Sequence, residues 1–316
     1  MGSVRVRREA QKLSVVPPTL RGVCAAVLTI GSLVLCFIGF LPGAMVKLVV
    51  PHAGFRRSCT RYMLFFCRAW LRVLEWAADS ISGQRVVVES SLRADLEGRY
   101  LLIGNHQCWA DILVLVRALR GVLPFPRWFM KRQLLWVPII GFATWALDFP
   151  FMKRYSGKQI AANPALAGRD LETARHACAI YRHQPVTVVN YAEGTRSTRA
   201  KRRARRSPYQ TMLRPKAGGT AFMLEAMGDV LDAVVELIIA YRGLDEPTIW
   251  DYWCGRIPEI RVRLRPLDVP AELRHGDYRG DPEYAERFRN WLNAVWAERD
   301  HEVVAMMHAD PPMEAR

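Results

Sequence analysis

The sequence predicts an α/β fold in which a mixed sheet is flanked by helices and preceded by N-terminal membrane-embedded helices. Two observations predict it. From residue 83 onward, short runs rich in Val, Ile and Leu alternate with longer stretches of helical apolar spacing, as in layered α/β domains. Residues 22–46, in contrast, form an apolar run without a single charged side chain.

The N-terminal apolar run is long enough to cross a membrane. At ~1.5 Å per residue, a helix over residues 22–46 exceeds a hydrocarbon core of ~30 Å. Basic residues flank both of its ends, so the positive-inside rule does not choose an orientation. Pro42-Gly43 predicts a break near the end of this helix, and residues 62–78 have the amphipathic pattern of an interfacial helix.

Our interpretation of this region is a helix that dips into the membrane or turns back, with both basic flanks cytoplasmic. A single membrane span is the alternative. A cleaved signal peptide is disfavoured, because the run is longer than a normal signal-peptide core and residues 41–44 are a poor cleavage signal.

Residues 81–316 are predicted to form the α/β domain, after an N-terminal anchor of residues 1–80. Strands are predicted over residues 85–89, 100–104, 128–131, 149–154, 186–191, 234–241 and 260–265. Helices are predicted over residues 110–119, 134–146, 165–183 and 218–226. A last helix begins at Asp281-Pro282, where a capping residue precedes a proline in the first turn.

Charge and cysteine content narrow the function classes. The net charge of +15 favours polyanionic partners, which include nucleic acid, anionic lipid and phosphorylated small molecules. Seven scattered cysteines without a C-x-x-C pair argue against a disulfide framework or a structural zinc site, and favour a reducing compartment. The basic run at residues 199–206 is predicted to be an exposed loop. It has no interleaved aromatic residues, so we expect it to lie on anionic lipid or a phosphorylated donor rather than on nucleic acid, and a merely solvated loop is the alternative.

His106 and Asp111 are the candidate catalytic pair. Five residues apart on one continuous helix, they would lie ~140° apart and could not meet. They meet only if His106 precedes the helix and Asp111 lies in its first turn. A carboxylate on one imidazole nitrogen would raise the basicity of the other, which could then accept a proton from an alcohol. The alternative is a structural histidine beside an acid that suits the helix N-terminus.

A second candidate block follows the predicted strand at residues 186–191. Glu193-Gly194-Thr195-Arg196 stands where ligands of open α/β sheets bind, at the carboxyl end of a strand. Glycine allows close approach to a phosphate, Thr195 offers a hydroxyl and Arg196 offers a planar fork of donors. A plain turn with a surface arginine is the alternative.

Taken together, these blocks resemble the glycerolipid acyltransferase family, which includes the lysophosphatidic acid acyltransferases. The blocks are Asn105-His106-x4-Asp111, Phe151-Met152-Lys153-Arg154, Glu193-Gly194-Thr195-Arg196 and Leu213-Arg214-Pro215-Lys216-Ala217-Gly218-Gly219. The last of them is similar to the Pro-Lys-x-Gly segment of the branch close to lysocardiolipin-type acyltransferases. All four occur in the family's order.

The resemblance implies a role for each matched residue. His106 would deprotonate a glycerol hydroxyl, Asp111 would orient His106, and no metal ion or covalent acyl-enzyme would take part. The acyl donor would be an acyl-CoA or an acyl carrier protein, and no other cofactor would be required. The residues that would bind substrate are Lys131, Arg154, Glu193, Gly194, Thr195, Arg196, Lys216 and Gly218.

The expected reaction is acyl transfer to the sn-2 hydroxyl of 1-acyl-glycerol-3-phosphate or a related lysophospholipid, at the cytoplasmic face of the inner membrane. Lysocardiolipin, lysophosphatidylglycerol or another lipid acceptor is the first alternative. Residues 234–239 lack the proline that many family members carry, and Glu236-Leu237-Ile238 stands where the lysocardiolipin branch tends to have Asp-x-Thr. A non-catalytic basic protein that binds the membrane surface is the alternative of another class.

Overall fold

The computed structural model describes residues 4–6, 16–152 and 169–308. Its helices are α1 Pro18–Val49, α2 Ala53–Ser80, α3 Ala110–Leu119, α4 Ile140–Ala146, α5 Arg169–Ala179, α6 Arg199–Ala204, α7 Ala217–Met227, α8 Ile249–Cys254, α9 Ala271–Arg274 and α10 Pro282–His308. Its strands are β1 Val4–Val6, β2 Val86–Ser90, β3 Arg99–Gly104, β4 Pro126–Trp128, β5 Met130–Lys131, β6 Phe151–Met152, β7 Val186–Tyr191, β8 Ala233–Tyr241 and β9 Ile260–Pro266. Short 3₁₀ helices span Arg132–Trp136, Ile180–His183 and Gly228–Val230.

The main sheet is mixed, and this confirms the predicted fold class. Its strand order is β1-β2-β9-β8-β3-β7-β4, and β5 pairs with β6 in a separate two-stranded sheet. Strands β8, β3, β7 and β4 run parallel to one another, whereas β9 is antiparallel to β8. The carboxyl ends of four neighbouring strands therefore meet at one edge of the sheet, which is where α/β folds commonly bind ligands.

Helices cover both faces of this sheet. Leu101 and Ile103 of β3 point into a core shared with α5, α7 and α10, whereas Leu102 points into the opposite core, which α3 and α8 complete. The alternation follows from the two-residue period of a strand. Because both faces are covered, the parallel strands are almost continuously apolar rather than alternating.

Helices α1 and α2 form an antiparallel hairpin that packs on the α/β domain. The Tyr62 hydroxyl donates to the Gly39 carbonyl (3.0 Å), and the Trp70 indole donates to the Thr29 carbonyl (3.2 Å). Gly22 at one end of α1 lies beside Trp250 and Cys254 of α8. At the other end, the Lys47 ammonium pairs with Asp148 at 2.6 Å. Both ends of α1 therefore contact the domain.

Some predicted details of the elements are wrong. The break predicted at Pro42-Gly43 is absent, because Pro42 lies inside α1, where close packing on α2 keeps the chain helical to Val49. The strand predicted over residues 128–131 is two strands, β4 and β5. The helix predicted over residues 134–146 is a 3₁₀ turn followed by α4, separated at Pro138 and Ile139. The basic run at residues 199–206 contains α6 rather than only a loop.

Helix α1 is the one helix of the described residues with the length and composition of a membrane span. Only 11% of the most apolar 18-residue stretch of α1 is buried, whereas the core helix of a soluble domain would be mostly buried. Its outward face carries exposed side chains such as Val27, Ile30, Leu35 and Ile38. An apolar surface of this size marks α1 as a candidate membrane span.

The hairpin predicts a difference between two glycines of α1. A Cβ added at Gly39 would overlap the ring of Phe66, whereas a Cβ at Gly31 would meet open space. Gly39→Ala should therefore lower the free energy of unfolding by about 1–3 kcal/mol, the usual effect of overpacking. Gly31→Ala, the matched control, should leave it equal or slightly higher, because alanine favours helix. Urea unfolding in detergent, followed by tryptophan fluorescence, measures both; equal stability of the two variants would contradict the packing.

Candidate active site

The candidate site lies at the carboxyl edge of the parallel strands. Strand β3 ends at Gly104, and the chain continues through Asn105 and His106 before α3 begins. The Asn105 amide donates to the Ile239 carbonyl (2.8 Å) and accepts from the Ile239 N–H (2.9 Å). A side chain thus continues the hydrogen bonding between β3 and β8 where the backbone of β3 leaves the sheet. This contact determines where His106 begins its turn.

His106 and Asp111 are in direct contact. His106 precedes α3 and Asp111 lies in its first turn, the one arrangement in which their spacing allows a pair. His106 Nδ1 lies 2.7 Å from Asp111 Oδ2. The same Oδ2 accepts backbone hydrogen bonds from Gln107 (2.6 Å) and Cys108 (3.0 Å), and Asp111 is fully buried. Because a carboxylate only accepts, Nδ1 carries the proton and Nε2 is left as an acceptor.

Tyr241, at the end of β8, holds the other carboxylate oxygen. Its hydroxyl donates to Asp111 Oδ1 at 2.5 Å, and the Cys108 thiol lies 3.4 Å from that hydroxyl. Burial, with the nearby Asp111 charge, raises the pKa of Tyr241 well above its usual value. Burial first and Asp111 second raise the pKa of the Cys108 thiol to about 12. Both groups therefore remain protonated and act as donors.

Tyr191 fixes the plane of the imidazole. Its ring stacks on His106 with centroids 4.3 Å apart and an interplanar angle of 14°. The Tyr191 hydroxyl is buried without a hydrogen-bond partner among the described residues. The His106 side chain remains 13% exposed, so the imidazole is accessible from one side.

Glu193 bonds to the backbone at His106 and at Leu213. Its Oε1 accepts from the His106 N–H (3.0 Å) and its Oε2 from the Leu213 N–H (2.9 Å). The side chain is fully buried. The resemblance implies that Glu193 binds substrate, but both of its oxygens are bonded to main chain. Glu193 therefore links three segments of the chain, those at residues 106, 193 and 213.

Gly194 and Lys216 lie against each other. Gly194 has φ +68, and a Cβ there would stand 3.0–3.1 Å from the Lys216 side chain, so both backbone and space favour glycine. The Lys216 N–H donates to the Ala192 carbonyl at 2.7 Å, which ties the Pro-Lys-x-Gly block to the end of β7. Gly218 faces Tyr278, whose ring would stand 3.0 Å from an added Cβ. Its position is therefore one of helix packing.

Cations gather beside Thr195. The Lys201 ammonium donates to Thr195 Oγ1 (2.8 Å) and to the Arg196 carbonyl (3.0 Å). The Arg196 guanidinium stacks over Trp109, 5.0 Å from the ring centre. Burial first, then Arg196 and Arg205, lowers the pKa of Lys201, as expected where positive charges crowd together. Lys201 was not among the predicted site residues. The basic run at residues 199–206, which contains it, was the sequence feature that could have indicated it.

A cavity of about 200 Å³ opens next to the pair. Gln107, the residue after His106, lines one side, and Arg199, Arg202 and Ser197 line another. The basic run is thus held beside the block at residues 193–196, and the Arg202 guanidinium donates to the Ser197 hydroxyl at 3.1 Å. An anion that enters this cavity would meet Arg202 and Arg199, of which Arg199 is paired with Asp245 in the same lining.

Lys131 and Arg154 are the two remaining predicted residues. Lys131 is exposed in β5, which follows β4 after its carboxyl end, and pairs with Met152 in the small sheet. Arg154 lies outside the described residues. Among the described residues, no cluster of three or more His, Cys, Asp or Glu side chains could hold a metal ion.

The buried Glu193 predicts a pH dependence of stability. Burial raises the pKa of Glu193 from 4.5 to about 8, although two backbone donors oppose the shift. Between these values the folded chain holds a proton that the unfolded chain has lost, so stability falls as the pH rises. The parent should therefore lose stability relative to Glu193→Gln between pH 5 and pH 8, by an amount on the order of a few kcal/mol.

Urea unfolding across this pH range tests the prediction. Glu97→Gln, which changes an exposed glutamate, is the matched control and should follow the parent. A difference between parent and Glu193→Gln that stays constant with pH would show that Glu193 titrates normally.

Part of the chain matches a known protein family. The family described as Acyltransferase matches residues 83–236, a range that contains His106, Asp111 and the block at residues 193–196. The 1-acyl-sn-glycerol-3-phosphate acyltransferase epsilon of Mus musculus is 18% identical over 315 residues, which cover 93% of this chain and 80% of that protein. The 2-acyl-1-lysophosphatidylinositol acyltransferase of Saccharomyces cerevisiae is 24% identical over 243 residues, which cover 65% of this chain and 60% of that protein. The chain thus spans less than two thirds of the yeast relative.

A solved structure is also similar. The 1-acyl-sn-glycerophosphate (LPA) acyltransferase PlsC from Thermotoga maritima superposes with a TM-score of 0.49 at 16% identity, over 90% of this chain and 98% of that one. Residues 83–236 match the Acyltransferase family, and the two curated relatives support assignment of the chain to the glycerolipid acyltransferases, as an O-acyltransferase.

Proposed function

We propose that this acyltransferase moves a fatty acyl group from an acyl thioester to the sn-2 hydroxyl of 1-acyl-glycerol-3-phosphate or a related lysophospholipid. One observation carries the proposal. His106 is bonded through Nδ1 to a buried carboxylate. Its N–H donates to Glu193, the first residue of the block at residues 193–196, beside which the Lys201 ammonium donates to Thr195. A general base beside a cationic surface suits an acceptor that has both a hydroxyl and a phosphate.

The reaction proceeds by direct attack. As the acceptor oxygen attacks the thioester carbonyl, Nε2 takes the hydroxyl proton, and Asp111 stabilises the resulting imidazolium. The C–O bond forms, the C–S bond breaks, and the proton passes from Nε2 to the departing thiolate. The nearby Cys108 is buried, and its pKa of about 12 keeps it a thiol, so it is no nucleophile for an acyl-enzyme. No metal ion or further cofactor is needed.

The surrounding cations divide into two sets. Arg196, Lys201 and Lys216 lie around residues 193–195 and would bind the acceptor phosphate, with Lys131 and Arg154 as further predicted contacts. Arg199 and Arg202 line the neighbouring cavity and would bind a phosphorylated donor, either acyl-CoA or the phosphopantetheine of an acyl carrier protein. Thr195 and Gly194 shape the surface between the two sets.

The hairpin supplies the location. With its exposed apolar face, α1 would anchor the domain in the membrane, and the basic flanks favour the cytoplasmic face of the inner membrane. Other lysophospholipids remain the second candidate class of acceptor, because one curated relative is named for lysophosphatidylinositol.

Replacement of the base tests the mechanism. His106→Ala should lower kcat about 10²–10⁴-fold, the usual contribution of a general base. The fold should stay intact, with a lower thermal stability because the buried Asp111 carboxylate loses one of its donors. His183→Ala, which removes an exposed histidine at the end of a 3₁₀ helix, should retain full activity. The assay uses purified enzyme, labelled oleoyl-CoA and a panel of lysolipids, and the panel also identifies the preferred acceptor. Equal activity of His106→Ala and the parent would exclude the mechanism.

Removal of the hydroxyl of Tyr241 tests how the carboxylate is held. Tyr241→Phe should lower kcat about tenfold, the effect of one lost hydrogen bond to a charged group, while both KM values stay unchanged. Tyr284→Phe removes another buried tyrosine hydroxyl, which donates to the Leu273 carbonyl at 2.9 Å, and should leave kcat unchanged. Steady-state kinetics of both variants decide the matter. An equal loss in the two would indicate general destabilisation instead.

A further inference from the structure

The segment between β5 and β6 displays apolar side chains to the outside. Residues 132–145, here called the tryptophan segment, comprise the 3₁₀ helix Arg132–Trp136 and α4 up to Trp145. Trp136 is 87% exposed, and the other exposed apolar side chains are Leu134, Val137, Ile140 and Trp145. A soluble surface rarely carries such a cluster unless something covers it.

The backbone of this segment is held in an uncommon conformation. Ile139 has φ +62, a left-handed value that a β-branched residue rarely adopts. Gly141 follows so closely on the Leu134 and Leu135 carbonyls that an added Cβ would overlap them. This tight turn separates the 3₁₀ helix from α4 and keeps Trp136 pointed away from the core. Strain of this kind is typical of functional segments.

The tryptophan segment is continuous with the membrane hairpin. The Phe142 ring meets Phe37 of α1 at 6.0 Å between centroids, nearly perpendicular, and Trp145 lies 5.9 Å from Phe142. On α1, Val34, Leu35 and Ile38 are exposed beside Phe37. The apolar surface of α1 therefore extends onto the α/β domain.

The charge pattern favours a bilayer as the occupant. Residues 131–147 contain no acidic side chain, whereas Lys131 and Arg132 stand at their start. Tryptophans at the rim of an apolar surface, with basic residues next to them, are typical of the lipid headgroup region. The protein as a whole carries +15, which complements an anionic membrane.

We propose that the tryptophan segment is a second membrane contact, which inserts Trp136 into the headgroup region of an anionic phospholipid bilayer beside α1. Strand β5 leads into it from the carboxyl end of β4, at the same edge of the sheet as His106. Docking at two places, the hairpin and this segment, holds that edge against the membrane. This proposal concerns membrane binding, and it does not depend on which lysophospholipid is the acyl acceptor.

Site-specific photo-crosslinking in the full chain tests the proposal. Trp136 is replaced by p-benzoyl-phenylalanine, a change that an 87% exposed position tolerates, and the protein is bound to vesicles of phosphatidylethanolamine and phosphatidylglycerol. Leu35 on α1 is the positive control position. Leu96, 50% exposed in the loop before β3, is the matched control for an exposed apolar residue elsewhere.

The expected result is a lipid adduct at positions 136 and 35 and no lipid adduct at position 96. Adducts at position 35 without any at position 136 would overturn the proposal. A crosslinked dimer through position 136 would also overturn it, because a second copy of the chain would then cover the surface. Adduct formation needs no catalysis, so a His106→Ala background must give the same pattern.

Discussion

The candidate site depends on one buried charge, the carboxylate of Asp111. A carboxylate without solvent is costly unless donors surround it. Here Oδ2 receives the His106 imidazole and two backbone N–H groups, and Oδ1 receives the Tyr241 hydroxyl. The backbone donors belong to the turn between His106 and α3. The bonds that stabilise the charge therefore also shape the turn, and the imidazole can be oriented only where the carboxylate is stable.

A second layer keeps this turn in register with the sheet. Asn105 pairs with both backbone groups of Ile239, and Glu193 accepts from the His106 N–H while its other oxygen binds Leu213. Each of these side chains bonds to backbone groups that have no backbone partner where β3 leaves the sheet. Glu193 thus contributes to the site through the position of His106, not through contact with a ligand. The cost of its burial is visible in its raised pKa.

Local pattern was enough to predict some of this arrangement. The order of strand, polar turn and helix around residues 101–115 allows His106 and Asp111 to meet, because it places His106 before the helix and Asp111 in the first turn of the helix. Tyr241 and the Ile239 contact could not be found in this way, since they lie some 130 positions along the chain and only the strand order brings β8 beside β3. Likewise, Pro42 favours a helix break on local grounds, but contacts between α1 and α2 outweigh that preference. Glu236 shows the same limit, because its buried carboxylate pairs with Arg265 of β9 and with the fully buried Arg299 of α10, which only the tertiary packing brings beside β8.

The arrangement of layers explains how a lipid acceptor can reach the base. Helix α1 is ~48 Å long at ~1.5 Å per residue, and it contacts α8 at one end and the loop after α4 at the other. It therefore lies along the domain, with its apolar face turned outward over most of its length. A membrane that covers this face would lie directly beside the α/β domain, whereas a domain on a flexible linker would stand away from it. In the proposed reaction His106, partly exposed at the sheet edge, would accept its proton near the headgroups. The cations around residues 193–201 would bind the acceptor phosphate while the acyl chain stayed in lipid. Such an acceptor would not have to leave the bilayer, a step that would cost ~0.8 kcal/mol for every methylene exposed to water.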